Sequence, residues 1–406
     1  MGETRRFIDE IEYLLDGLTA TGPKSNQTIR VSVEEIVEKC FNNKRDDYSV
    51  NVGFGMKLKS HGALEIIFEA LNESDDPVVL DNLVLLMTAL LYDVRRLDFF
   101  FKPELAIKIS KHCIYRDSNS DNLHFKMLKC TQVFNNVDIK SSKDSFLYAG
   151  IWILSKWSFS SVTTKTNNSF FDLLLKETEL LKKLIKICGD EHELIEIGEK
   201  TAGLLDCLLN RKLLNDFKER EGDLIALFDE IIENQNKNLT FMKLAVSLTG
   251  SSIGKTIKNF FETVKKLINL TFPFKGELEI LYLSCLINLI DRCDENFMDE
   301  FRYKTFKEDN LLKYLTREYY NCPLEFKLHK SLLALVLGFI CRQNRTNIEV
   351  MSRVNEDETV FNDLKKEILN VATNFSLQQQ KQQHQQEEED ALVIDRLNEI
   401  ILTFKK

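Results

Sequence analysis

Several stretches of this chain hold residues that can do chemistry, and in each the spacing withholds the reaction. Gly250-Ser251-Ser252-Ile253-Gly254-Lys255-Thr256 ends like a phosphate-binding loop, but three residues separate its glycines where the motif needs four. Lys243 to Leu248 before it reads as helix and not as the strand such a loop follows, so a corner between helices is expected there. His192-Glu193 is followed by Ile195-Glu196, which leaves a zinc-protease helix without its second histidine. His61, His112, His124, His329 and His384 stand apart, and no Ser, His and Asp set carries the local signature of a hydrolase. Acidic pairs such as Asp9-Glu10 and Asp75-Asp76 have the pattern of solvated helix faces. The nine cysteines, at positions 40, 113, 130, 188, 207, 285, 293, 322 and 341, include no close pair of metal-ligand spacing. Most fall inside apolar runs and read as buried free thiols of a reducing compartment. No catalytic residue, metal or cofactor is expected, and the chain reads as a non-enzyme.

The elements that would position any such residues are helices. With 15 glycines and 5 prolines among 406 residues, β-type turns are few, while 28 phenylalanines supply bulk for packing between helices. Pro23, Pro77, Pro103, Pro273 and Pro323 all fall where periodicity breaks, at the corners between helices. The formal charge of −9 argues against a large basic footprint for nucleic acid. No window reaches 18 uninterrupted apolar residues, and Arg6 occupies the Ser/Thr position that myristoylation at Gly2 requires. A soluble, intracellular protein without a signal peptide is expected.

Lys57 to Asp93 shows the repeating unit. Ala63, Ile67, Ala70 and Leu71 fall at helical spacing, widened by Leu64 and Ile66, while Glu65 and Glu69 take the opposite face. After Asn72 to Pro77, the run through Val79, Leu80, Leu83, Val84, Leu86, Met87, Leu90 and Leu91 leaves almost no polar face. Asp76 can cap that helix, and Pro77 suits its first position. An amphipathic outer helix joined to a nearly all-apolar inner one is a repeat that needs neighbours. The fold class is therefore all-α, an α-solenoid of HEAT/armadillo-like helical repeats. Further inner helices are expected around Leu154, Leu205, Leu244, Leu286 and Leu335. Asn42 to Asp47 reads as a polar connection and Ser158 to Ser169 as a surface loop. One domain spans 1–406, with lobes at 1–157 and 170–406 and a Gln/Glu-rich mobile insertion at 378–389. Ala391 to Phe404 regains helical period and reads as a C-terminal cap.

His61-Gly62-Ala63, Phe68, Leu71 and the apolar helix to Leu91 resemble the wings apart-like (Wapl) domain of the cohesin release factor, here of the shorter fungal type. Phe7 to Leu18 resembles the opening helix of that domain, Leu286 to Ile290 a late inner helix, and Ala334 to Cys341 followed by Asn347 the last one. The matches keep their order along the chain. The resemblance implies a non-enzymatic regulator of sister chromatid cohesion in the nucleus, chromatin-associated and monomeric. It would bind the cohesin complex, through its ATPase-head and kleisin/HEAT subunits, together with the HEAT-repeat cofactor of cohesin, and promote release from chromosomes. It implies no sequence-specific nucleic acid binding and no membrane. Candidate contact residues are Asp9 and Glu10 on the opening helix, the basic group Lys57, Lys59 and His61, and Phe99, Phe100 and Phe101, which cannot all face one core. An adaptor or transport-receptor solenoid that binds extended peptides is the alternative.

Overall fold

The computed structural model describes residues 2–21, 25–44, 47–94, 103–116, 122–163, 178–189, 195–209, 221–234, 237–251, 257, 259–291, 293, 295–355, 357–382 and 388–405. The chain divides into two units, Met1–Arg220 and Glu221–Lys406.

In the first unit, α1 (Gly2–Leu18) packs on α2 (Ser25–Cys40), with Ile11, Leu14, Leu15 and Leu18 buried. Three helices then build the repeat read from the sequence: α3 (Val52–Ser60), α4 (Ala63–Glu73) and α5 (Pro77–Leu90). At the α3 end the His61 N–H donates to the Lys57 and Leu58 carbonyls at 3.2 and 3.1 Å. Gly62 turns the chain at φ 76°, a left-handed conformation open to glycine without strain, and Ala63 follows fully buried. The α4 stripe of Ala63, Ile67, Ala70 and Leu71 is buried, and Glu65 and Glu69 are exposed. Asp76 Oδ1 accepts the Val78 N–H at 2.8 Å with Pro77 at the first turn, the cap that the sequence specifies. α5 is buried without interruption from Val79 to Thr88, against α2 and α4 and against α7 (Asn122–Lys129) and α8 (Ser142–Thr163). The unit also contains α6 (Pro103–Ile109), which runs into a π-helical turn at Ser110–Ile114, then α9 (Thr178–Gly189) and α10 (Ile195–Leu209), which packs on α8.

The second unit repeats the scheme with α11 (Glu221–Asn234), α12 (Leu239–Thr249), α13 (Phe260–Thr271), α14 (Glu277–Asp291), α15 (Glu295–Glu300), α16 (Leu311–Asn321), α17 (Lys327–Cys341), α18 (Arg345–Ser352), α19 (Glu358–Gln382) and α20 (Glu388–Lys405). α12, α14 and α17 pack in succession, and α19 and α20 close the unit over α17. The fold is all-α and of solenoid type. The six expected inner-helix centres lie in α5, α8, α10, α12, α14 and α17. Leu86, Leu154, Leu244 and Leu286 are fully buried there, and Leu205 and Leu335 are 1% and 2% exposed.

Two local readings are corrected. The stretch read as a polar connection forms an antiparallel hairpin, β1 (Phe41–Lys44) with β2 (Asp47–Val50), in which Phe41 faces Val50. Phe41 is buried, and the Asn51 N–H donates to the Cys40 carbonyl at 2.6 Å, so the hairpin base is stapled to the α2 end. Two-residue strands at Thr305–Phe306 and Asp309–Asn310 form a second, smaller hairpin, turned by Lys307 at φ 54°. The stretch read as a loop from Ser158 continues α8 to Thr163. The Ser155 and Ser158 hydroxyls return to the Ile151 and Ser155 carbonyls, both at 2.8 Å, so these polar side chains are satisfied within the helix. In the glutamine tract, 378–382 form the last turn of α19, consistent with the helix propensity of glutamine.

Candidate partner-binding surface

The expected contact residues that are described lie on α1 and at the end of α3, and the structure gives each a different setting. Asp9 and Glu10 stand on the outer face of α1, where Asp9 is exposed. Lys39, in the last turn of α2, donates to Glu10 Oε1 at 2.6 Å. Lys57 lies with its ammonium 4.0 Å from the centre of the Phe7 ring, which in turn meets Phe54 edge-on at 5.8 Å. Lys59 points the other way and donates to both carboxylate oxygens of Asp93, at 2.6 and 2.8 Å. That hydrogen bond, together with the Lys59 charge, holds the Asp93 carboxyl below its usual range. His61 is half-buried and closes α3 through its backbone. The basic group is thus split, Lys57 toward α1 and Lys59 toward the end of α5. Phe99, Phe100, Phe101 and Lys255 lie outside the described residues. The Gly250 corner follows a helix, with the Gly250 N–H donating to the Val246 carbonyl at 2.9 Å and Asn288 Nδ2 to the same oxygen at 3.0 Å.

Two concavities flank α3. One, of about 630 Å³, lies between Phe7, Lys39, Phe41, Tyr48, Phe54 and Leu123. The other, of about 380 Å³, is lined by Val52, Met56, Lys59, Leu90, Tyr92 and Asp93 among others. Val52, Met56 and Tyr92 are 59%, 61% and 47% exposed, which is unusual for apolar side chains grouped around one depression. Sequence reasoning did not single out these three, Lys39 or Asp93. Val52 and Met56 had a signal, an i, i+4 apolar pair on a helix whose buried face is already filled by Phe54 and Leu58.

Beneath this surface, α5 carries a buried polar group that sequence reasoning also missed. The Asp81 carboxylate takes both terminal nitrogens of Arg116, with Nη2 at 3.1 Å from Oδ2, and lies 2.7 Å from His112 Nε2. Burial alone would raise the Asp81 pKa, but the hydrogen bonds and charges of His112 and Arg116 outweigh it and hold it below the usual range. Arg116 stacks over Phe146 at 4.6 Å, and His112 meets the same ring edge-on. Next to Asp81, the Asn82 carbonyl lies 3.0 Å from His124 Nε2. The carboxylate has its charge matched inside the core, so this arrangement fixes α5 against the segment from Ser110 to Arg116. Burial pushes the Cys40 and Cys285 thiols up to about 12, far from the range of a nucleophile at neutral pH. Among the described residues no group of three His, Cys, Asp or Glu could hold a metal ion, and no helix is long and apolar enough to cross a membrane.

In the second unit Asn347 ties the last repeat together. Its Nδ2 donates to the Met298 and Ile340 carbonyls at 3.1 and 2.8 Å, and its backbone N–H to Asn344 Oδ1 at 3.0 Å. A fully buried amide so satisfied locks α18 to the ends of α15 and α17.

Comparison with known proteins places the similarity at the N-terminal surface. Residues 1–99 match the family described as "Wings apart-like protein regulation of heterochromatin". The human Wings apart-like protein homolog is 34% identical over 95 residues, which are 23% of this chain and 7% of the human protein. This chain therefore matches only a small part of its curated relative. Among solved structures, an engineered protein is 12% identical with a TM-score of 0.49, covering 98% of this chain and 99% of that one. A chain from work on the phosphorylation switch that controls the interaction between cadherin and beta-catenin is 11% identical with a TM-score of 0.40, covering 97% and 90%. The similarity to the Wings apart-like family thus falls on the first 99 residues, which hold α1, α2, the first hairpin and the α3–α5 repeat.

Proposed function

We propose that this protein is a non-enzymatic regulator of sister chromatid cohesion that binds cohesin and promotes its release from chromosomes. The observation that carries the reading is the family match over residues 1–99, which covers the surface where Asp9, Glu10, Lys57, Lys59 and His61 lie. Stacked helix pairs suit it, because they offer an extended binding surface and need no reaction centre. Binding energy would bias the cohesin ring toward an open exit gate, with ATP hydrolysis supplied by cohesin's own heads. The partners in this reading are the ATPase-head and kleisin/HEAT subunits of cohesin and its HEAT-repeat cofactor, met by a monomer in the nucleus, on chromatin. The whole chain, 1–406, would act as one helical-repeat domain with two lobes.

The test is capture from nuclear extract on the immobilised full chain. Recovery of cohesin subunits supports the proposal. Recovery of importin-type cargo without cohesin would replace it with an adaptor solenoid that binds extended peptides.

A further inference from the structure

Three lysines from three helices converge where α5 ends. Lys59 of α3 holds Asp93, and Lys156 of α8 donates from Nζ to the carbonyl of the adjacent Tyr92 at 2.8 Å. Lys200 lies on α10, which packs against α8, close enough for its charge to act on Lys156. All three are half-buried, and burial depresses the pKa of both Lys156 and Lys200. Their carboxylate company is short: Asp93, already taken by Lys59, and Glu199, which acts on Lys200. Among the described residues no carboxylate lies within ion-pair distance of Lys156 or Lys200. The 380 Å³ pocket is lined by Lys59, Tyr92 and Asp93, so Lys156 meets its rim through the Tyr92 carbonyl, and Val52, Met56 and Tyr92 are exposed around it.

We propose that this surface is a docking site for an extended acidic segment of a partner protein, whose carboxylates meet Lys156 and Lys200 and whose bulky apolar side chain enters the pocket beside Met56 and Tyr92. Each half of the site names one half of the ligand. Partly desolvated cations with no carboxylate at ion-pair distance gain from an arriving anion, more than exposed lysines would, and the gain is lost when either partner is neutralised. The apolar pocket places an anchor at the centre, where binding energy concentrates, with charges at the rim to steer approach. Nucleic acid fits less well, because the chain carries a formal charge of −9 and the pocket offers apolar side chains to a phosphate backbone. The inference goes beyond the cohesin reading, since it fixes the chemistry of the bound segment whatever protein carries it.

The probe is a short fluorescein-labelled peptide of alternating Asp and Ser with one central Phe, read by fluorescence anisotropy with the full chain. Binding is expected, weakening as salt rises, and at least about tenfold weaker with Lys156→Glu and Lys200→Glu together. Lys156→Met with Lys200→Met keeps the apolar stems and should lose affinity too, which guards against a misfolded charge reversal; circular dichroism checks both variants. A peptide with Asn for Asp should bind poorly, and one with Ser for Phe should lose about tenfold. No binding to the unaltered chain, unchanged affinity in the folded Met variant, or equal binding of the Asn peptide would overturn the proposal. So would tighter binding of duplex DNA that the same variants abolish.

Discussion

Lys39 Nζ lies 2.6 Å from Glu10 Oε1, so Glu10 of α1 is paired with α2 and not with the lysines of α3. Acids and lysines of the N-terminal surface can therefore be changed separately. The side chains of this pair are 41% and 30% exposed at Glu10 and Lys39, where a salt bridge contributes about 0–1 kcal/mol. Asp9→Lys with Glu10→Lys should keep the helical circular dichroism signal and weaken cohesin release, measured as chromatin-bound cohesin in cells that lack the native protein. Lys57→Glu with Lys59→Glu should do the same, at a small added stability cost from the Phe7 and Asp93 contacts. If both restore release as well as the unaltered chain does, this surface is merely solvated.

Leu86 and Leu335 sit in the middle of α5 and α17, at 0% and 2% exposure. Truncation of either to alanine should cost about 2–5 kcal/mol in urea unfolding. An unchanged unfolding midpoint in either variant would contradict the packing of that inner helix.

The inner helices were legible because residues buried on every side leave a run with no polar face, and no tertiary information is needed to see it. The Asp76-Pro77 start was legible for a related reason, since capping is local chemistry. The hairpin from Phe41 to Val50 was not, because its polar residues alternate over only a few positions and its register depends on Phe41 reaching the core. Asp81-Asn82 left a visible trace, two polar residues inside an apolar run, which burial obliges to find partners. Their partners His112, Arg116 and His124 lie 31 to 42 positions later, and no spacing rule joins them. The sequence shows that Asp9, Glu10, Lys57 and Lys59 are too polar for the core, but the direction in which Lys57 and Lys59 diverge is a property of the α3 corner alone.

At Gly17 the backbone of α1 comes close to Ser32 of α2. A Cβ built there would lie 2.0 Å from Ser32 Oγ and 2.9 Å from Ser32 Cβ. Helix propensity alone predicts that Gly17→Ala stabilises α1 by about 1 kcal/mol. Overpacking predicts the reverse, a loss of about 1–3 kcal/mol, and with so short a contact it should win. Adding Ser32→Gly should recover much of that loss, and a double-mutant cycle in urea measures the coupling. If Gly17→Ala alone proves more stable, the helices do not meet as closely as described.

The Asp81 carboxyl, held below its usual range by His112 and Arg116, makes stability depend on pH in a definite direction. Its folded-state pKa lies below the unfolded value of about 3.9, so its contribution is full above that value and is lost as pH falls through the folded one. Asp81→Asn removes this titration and leaves Arg116, whose side chain is 12% exposed, without its carboxylate. Removing one partner of a buried ion pair costs about 3–5 kcal/mol. At neutral pH the variant should therefore be less stable than the unaltered chain by roughly that amount in urea. The gap should narrow as the buffer is taken below about pH 4, because protonation then strips the unaltered protein of the same interaction. Carboxylates elsewhere, Asp93 and Asp299 among them, titrate in both proteins and cancel in the difference. A gap that stays constant from neutral to acid pH would mean that Asp81 contributes by its shape and not by its charge, and the Asp81–Arg116 pair would lose its role in holding α5 to the segment that follows α6.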